Sequence, residues 1–301
     1  MTPTPSYTYT PAQVSAAYDE LIVPLLKGIT AETVPKMLIT AGSQGSGKTY
    51  LLEKSLLPTG RYDNYIRLYL PEYREKHPQY ARMIKHGVLH AYEHTEAFVR
   101  DIGTKIFEKA FQCKYNIIME CAFDSLDFAT FPPAATAAGY QFETHIIACK
   151  KAFAHLSSIK RALKSLEKHE MERFVPLSAL DASLGNAQAT IHAFETAAKA
   201  VSGSQIFLYE RGFGPLKERI LRVQSTYTRA SDGTVITTGP KVAYASAFEL
   251  IVNNRLHLIG DREEMVKECH LALSRAQMHP EHVPEAVFND LYAYILRYVY
   301  R

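Results

Sequence analysis

Tryptophan is absent from the 301 residues and cysteine is scarce, with only four. Cys113, Cys121, Cys149 and Cys269 show no C-x-x-C spacing, so neither a zinc site nor a disulfide framework is indicated, and buried free thiols in a reducing compartment are expected. No run of ~18–20 apolar residues exists, so no membrane-spanning helix is expected. The opening MTPTPSYTYTPAQ has no basic stretch leading into an apolar one, and reads as a Pro/Thr/Tyr tail rather than a secretory signal. An excess of one charge is missing too. The 34 Lys+Arg against 31 Asp+Glu leave a net +3, too little for a protein built mainly to coat nucleic acid by counterion release. With 15 Gly and 15 Pro, collagen-like and low-complexity composition are excluded. What is present is ordinary globular material, 47% hydrophobic and 22% charged, with 19 Tyr and 14 Phe to fill a core.

The hydrophobic pattern alternates between strand and helix. A helical segment lies within residues 11–35, with Leu21, Ile22, Leu25 and Leu26 on one face and Pro24 as a weak point. KMLITAG, from Lys36, is a short apolar run closed by glycine and reads as a buried strand. Further strands are expected at Tyr65–Leu70, Tyr115–Phe123, Gln141–Cys149 and Gln205–Glu210. Helices are expected after Lys48, at about 93–112, 131–138 and 153–172, and from about Tyr244 onward. An Asp232–Gly233 turn marks a hairpin within 223–239. Strands separated by helices imply a mostly parallel α/β sheet with right-handed crossovers.

Gly42-Ser43-Gln44-Gly45-Ser46-Gly47-Lys48-Thr49 fits G-x-x-x-x-G-K-[ST], with a strand before it and a helix after, as that motif requires. The glycines let successive amides turn inward toward a phosphate chain, and the helix adds its positive end at the same place. Lys48 is expected on the β- and γ-phosphate oxygens and the Thr49 hydroxyl on Mg²⁺, with ATP or GTP as the nucleotide. No guanine-reading NKxD segment is present. Glu120 ends the third expected strand, the edge at which parallel sheets bind ligands, and is a candidate substrate or metal ligand. The arm Lys150, Lys151, Lys160, Arg161, Lys164, Lys168 and Arg173 is either a solvated helix face or a lid that brings arginines to a transferring phosphoryl group. His77 is expected to shape a loop. His86–His90 and His90–His94 stand at i,i+4 spacing on one helical stretch, a spacing able to bind a metal, with no third ligand evident.

In order and spacing these segments resemble the zeta-toxin kinases from about Lys36 to Arg222. The matching parts are the loop GSQGSGKT, PEYREKHPQY at 71–80, NIIMECAF, GYQFETHIIAC, Arg161, Arg173 in R-x-x-P, and FLYERGF at 207–213. The resemblance implies a P-loop kinase fold, with a mostly parallel sheet flanked by helices, a lid arm around 150–176 and a helical C-terminal extension. The expected division is a tail and helix over 1–35, a kinase core over 36–222, and a hairpin with helices over 223–301. It implies ATP and Mg²⁺ as cofactors and transfer of the γ-phosphate to a sugar hydroxyl, typically the 3′-hydroxyl of UDP-N-acetylglucosamine. Lys48, Arg161 and Arg173 would act on the phosphoryl group, and Glu120 would bind substrate.

Where the family has a catalytic Asp this chain has Pro71, so Glu72, or Asp124 near the sugar-binding position, is the candidate base. The alternatives are an effector branch that phosphorylates the adenosine ribose of NAD, and an inactive nucleotide-binding scaffold. A kinase of nucleic-acid ends has little support from the near-neutral charge. The implied partners are a nucleotide-sugar or NAD substrate and a small helical antitoxin or chaperone-like inhibitor, with no nucleic acid and no membrane. Action in the cytoplasm is expected, with secretion as an effector left open.

Overall fold

The computed structural model describes residues 7–68, 72–168, 170, 173–213, 218–254 and 258–299. They form two units, the smaller made of Met1–Pro35 and Asp63–Met119, the larger of Lys36–Tyr62 and Glu120–Arg301. Among the described residues the strands are β1 (Lys36–Ala41), β2 (Tyr65–Arg67), β3 (Asn116–Cys121), β4 (Gln141–Cys149), β5 (Ser204–Arg211), β6 (Ile220–Arg229) and β7 (Val235–Thr238).

In the larger unit the strands run in the order β1-β4-β5-β6-β7. β1 pairs parallel with β4, placing Lys36 opposite Gln141, and β4 pairs parallel with β5. β5–β6 and β6–β7 are antiparallel. The last two residues of β3, Glu120 and Cys121, also belong to this unit, where the Gly42 amide donates to the Cys121 carbonyl at 3.0 Å. β1 is buried at five of its six positions and the second half of β4 is buried throughout, which explains why both read as continuous apolar runs. The result is the α/β fold of P-loop NTPases, with its mostly parallel sheet flanked by helices.

One helix of the larger unit departs from the pattern read in the sequence. The arm forms a helix over Lys151–Glu167 rather than 153–172, and a second, unanticipated helix occupies Leu177–Ala200. The first is fixed rather than free. Phe153, Leu156, Ile159 and Leu163 are buried against Cys269 and Leu273 of helix Ile259–Gln277 and Leu291 and Tyr294 of helix Glu285–Val299. Each such side chain contributes roughly 1.5–3 kcal/mol of hydrophobic stabilisation. Arg275 grips Glu167 with two hydrogen bonds of 2.7 Å, and Lys160 pairs with Glu268. Lys151 pairs with Asp181, and Lys168 with Glu170 at 3.6 Å. Lys151 and Lys160 of the arm thus tie its helix to neighbouring helices. Of the region around 150–176, residues 169, 171 and 172 lie outside the described set.

In the smaller unit β2 and β3 pair parallel, Tyr65 opposite Asn116. The strand expected to reach Leu70 ends at Arg67, although the Leu68 amide still donates to the Ile118 carbonyl at 3.0 Å; residues 69–71 lie outside the described set. Helix Pro11–Leu25 starts with a capping box, the Thr10 side chain accepting from the Gln13 amide while the Gln13 side chain accepts from the Thr10 amide. It ends one residue after Pro24, whose ring removes a helix donor. Helix Val88–Cys113 starts five residues before the expected 93, at a glycine. The four cysteines are free, with Cys121, Cys149 and Cys269 buried and Cys113 half-buried. No helix of the described residues is long and apolar enough to cross a membrane.

Candidate functional site

The glycine-rich segment between β1 and the helix at Lys48 is shaped by backbone conformations that side chains oppose. Gly47 sits at φ +93° as the cap of helix Lys48–Leu51. Gly45, at φ +77°, lies so close to helix Lys151–Glu167 that a Cβ would stand 1.9 Å from the Ala154 carbonyl oxygen. Beyond Leu51 the helix widens to i→i+5 hydrogen bonding over Leu52–Leu56, a local distortion found disproportionately near functional sites. Two side-chain oxygens of the loop, Gln44 Oε1 and Ser46 Oγ, are buried without a hydrogen-bond partner among the described residues. The Ser46 hydroxyl is a donor left without an acceptor, and a phosphate oxygen in a glycine cradle supplies one, so the loop fits a nucleotide's phosphates.

Five residues read from the sequence gather here. The Thr49 hydroxyl donates to Glu120 Oε2 at 2.7 Å, across 71 positions of sequence. Donation uses the hydroxyl proton and leaves the oxygen lone pairs available to a cation. Burial pulls the Lys48 ammonium below the usual lysine range; the carboxylates of Glu120 and Asp124 pull it back up, and the charge of Arg161 pushes it down. Glu120, Asp124 and Arg161 therefore each lie within electrostatic reach of Lys48. A desolvated ammonium in this position gains from an arriving polyanion. Asp124 is exposed at the site edge, directly after Phe123, which is held at φ +60°. That strained residue is fully buried, its carbonyl accepting from Asn186 Nδ2 at 3.0 Å and its ring packing on Phe248.

Arg173 is half-buried in the connection before helix Leu177–Ala200. Glu72 belongs to the smaller unit and is an exposed first residue of helix Glu72–Glu75; Pro71 lies outside the described residues. His77 is buried, its Nδ1 accepting from the Gln79 amide at 3.1 Å and its ring packed on Tyr9 and Phe98, which is the loop-shaping role. His86, His90 and His94 pack ring against ring at tilts of 54° and 57°, and Tyr7 bonds to His90 at 2.9 Å. Among the described residues no group of three or more His, Cys, Asp or Glu is placed to hold a metal ion.

One site residue lies in a segment matched in the sequence but is not singled out there. Arg211, the last residue of β5, donates from Nη1 to the Gly45 carbonyl at 2.5 Å and from Nη2 to Ser157 Oγ at 2.8 Å. The segment FLYERGF around it is matched as a strand and turn, and nothing in that match marks the arginine itself.

With this geometry in hand, comparison with known proteins is direct. The zeta toxin family model matches residues 25–215, well over half of the chain. A solved structure from the PezAT chromosomal toxin–antitoxin system of Streptococcus pneumoniae superposes with a TM-score of 0.62 at 14% identity, covering 91% of this chain and 98% of that one. The AvrRxo1-ORF1:-ORF2 complex with ATP gives 0.51 at 11% identity, covering 94% and 86%. The same complex with sulphate ions gives 0.50 at 12% identity, again covering 94% and 86%. No curated protein matches the sequence significantly. The structural likenesses speak to the fold, and the family match over residues 25–215 speaks to ancestry: the chain belongs to the zeta toxin family.

Proposed function

We propose that the protein is an ATP-dependent kinase that transfers the γ-phosphate to a hydroxyl of a nucleotide-linked sugar, with UDP-N-acetylglucosamine as the first candidate acceptor. The observation that carries this reading is the gathering of Lys48, Thr49, Glu120, Asp124 and Arg161 at the glycine-rich loop. Gly42, Ser43, Gln44, Gly45, Ser46, Gly47, Lys48 and Thr49 hold the triphosphate. Thr49 would hold Mg²⁺, with Glu120 orienting its hydroxyl; the cation neutralises phosphate charge when bound. Glu120 and Asp124 face the acceptor side. Lys48, Arg161 and Arg173 stabilise charge that spreads over the equatorial oxygens of the moving phosphoryl group. Because helix Lys151–Glu167 is packed into the core, Arg161 needs little reordering to act, a preorganised rather than recruited cation. Asp124 or Glu72 removes the proton of the acceptor hydroxyl.

A second acceptor, the adenosine ribose of NAD, is favoured by Pro71 at the position of the family's usual catalytic acid. A solved neighbour described as bound to ATP supports ATP as donor, and a neighbour described as part of a toxin–antitoxin system supports an inhibitory protein partner. The cytoplasm, where both acceptors occur, is the site of action. The test is expression in bacteria of the wild-type chain and of Lys48→Ala, followed by mass spectrometry of soluble nucleotides. A phosphorylated UDP-N-acetylglucosamine or a phosphorylated NAD in wild type only is the expected result. Identical nucleotide pools in the two strains would refute the kinase assignment and leave an inactive nucleotide-binding scaffold.

A further inference from the structure

Arg211 is 4% exposed, and its interactions within the chain are few. Nη1 reaches the Gly45 carbonyl at 2.5 Å, with Cys149 Sγ 3.9 Å away, and Nη2 reaches Ser157 Oγ at 2.8 Å. Nε has no partner among the described residues, and no carboxylate there forms an ion pair with the guanidinium. A buried cation without a countercharge is costly, so a residue of this kind is retained for what its geometry does rather than for stability alone.

Its two partners are the two parts of the site whose relative placement decides phosphoryl transfer. Gly45 is the middle of the phosphate loop. Ser157 lies one helical turn before Arg161, whose charge is felt at Lys48. The planar fork of a guanidinium can engage a carbonyl on one side and a hydroxyl on the other at fixed separation, which an ammonium cannot. With its oxygen taken by Arg211, the Gly45 carbonyl is not free to turn toward phosphate oxygens, which it would repel. The same loop residue already touches the helix backbone at Ala154, so the contact has no slack.

We infer that Arg211 is a positioning residue for phosphoryl transfer: it holds the phosphate loop and the Arg161-bearing helix in one register without touching the transferred group. This rests on the kinase reading. It goes beyond that reading by assigning the fit of loop to helix to a single side chain on β5.

The experiment uses the full chain as Arg211→Lys and Arg211→Gln, each also combined with Arg161→Ala. Arg222→Gln, at an exposed pair with Glu210, is the control. Phosphate transfer from Mg·ATP to UDP-N-acetylglucosamine and to NAD is measured beside amide exchange over residues 43–49 and 155–162. Arg211→Gln is expected to lower kcat about 100-fold with acceptor KM within about 3-fold, and Arg211→Lys to fall between it and wild type. In the Arg161→Ala background the added loss should be under about 3-fold, because the two arginines act as a unit. Exchange should quicken over both segments together.

A full 100-fold further loss in that background overturns the inference, as does a wild-type kcat in Arg211→Gln or an equal loss in Arg222→Gln. If the wild-type chain phosphorylates neither acceptor, the kinase reading fails on its own, and exchange then decides the tie between loop and helix. Quickening of both segments upholds it, and an unchanged rate in either overturns it.

Discussion

Gly45→Ala tests the phosphate loop most sharply, because two separate costs fall on one methyl group. The residue sits at φ +77°, where an L side chain pays roughly 1–2 kcal/mol. Its new Cβ would stand 1.9 Å from the Ala154 carbonyl oxygen, 2.8 Å from the Ala154 carbonyl carbon and 3.1 Å from the Ser158 nitrogen. Those are backbone atoms of an anchored helix, so the loop must retreat by about 1 Å, a displacement that can cost ~10²-fold when it misplaces a reacting group. Two other glycines separate the costs. Gly233, in the hairpin turn, has φ +83° with open space around it, and Gly185 lies inside helix Leu177–Ala200 with nothing within 4 Å. Gly233→Ala should lose roughly 1–2 kcal/mol of stability with Mg·ATP binding unchanged, and Gly185→Ala should gain about 0.5–1 kcal/mol. Gly45→Ala should pay the same backbone cost and also lose about 10²-fold in Mg·ATP affinity or in transfer rate. Denaturant midpoints and nucleotide titrations of the three variants provide the comparison. If Gly45→Ala keeps both affinity and transfer within about 3-fold of wild type, the close approach of loop to helix does not shape the site.

Other substitutions probe other parts. Arg161→Ala should lower turnover about 10³-fold with nucleotide affinity changed only a few-fold, read by transfer kinetics beside titration; near-normal turnover would remove Arg161 from the mechanism. Thr49→Val and Glu120→Gln should each weaken the dependence of binding on Mg²⁺, and the double variant should lose less than the sum because the pair is bonded. His155 is buried, its Nε2–H donating to the Val175 carbonyl at 3.1 Å and its Nδ1 accepting from Tyr294 at 2.8 Å. Burial holds its imidazole below the ordinary range, the Val175 contact and Asp290 only partly offsetting that. The unfolded chain therefore takes up the proton first as pH falls through about 6.5, so the contribution is complete above that value and is lost below it. His155→Gln should flatten the acid limb of a stability–pH curve between about pH 7 and 5, and an unaltered slope would contradict the assignment.

The parts of this protein that were legible in its sequence are those whose cause is local. Turn chemistry made Gly42–Thr49 readable, since the glycines answer to backbone conformation and the neighbouring apolar runs to burial on both faces of a parallel sheet. Helix Leu177–Ala200 was not read, because Ser178, Ser183, Gly185, Asn186 and Thr190 are weak helix formers and its apolar stripe is thin. Packing of Leu180, Ala187, Ile191 and Phe194 overrides those preferences. The cationic arm was ambiguous in one dimension. In the folded chain Asp181, Glu268 and Glu170 take Lys151, Lys160 and Lys168 into ion pairs. Glu120 was visible as a strand-end acid, but its bond to Thr49 joins residues 71 positions apart and leaves no local trace. Arg211 meets Gly45 across 166 positions, and nothing near it in the chain announces that contact.

The most direct measurement follows a labelled γ-phosphate. Purified wild-type chain and Lys48→Ala would be incubated with γ-labelled ATP, Mg²⁺ and either UDP-N-acetylglucosamine or NAD, and the products separated. The account predicts label on one of the two acceptors with wild type and none with Lys48→Ala. Label that stays on ATP with both proteins, while wild type still binds the nucleotide, would contradict it.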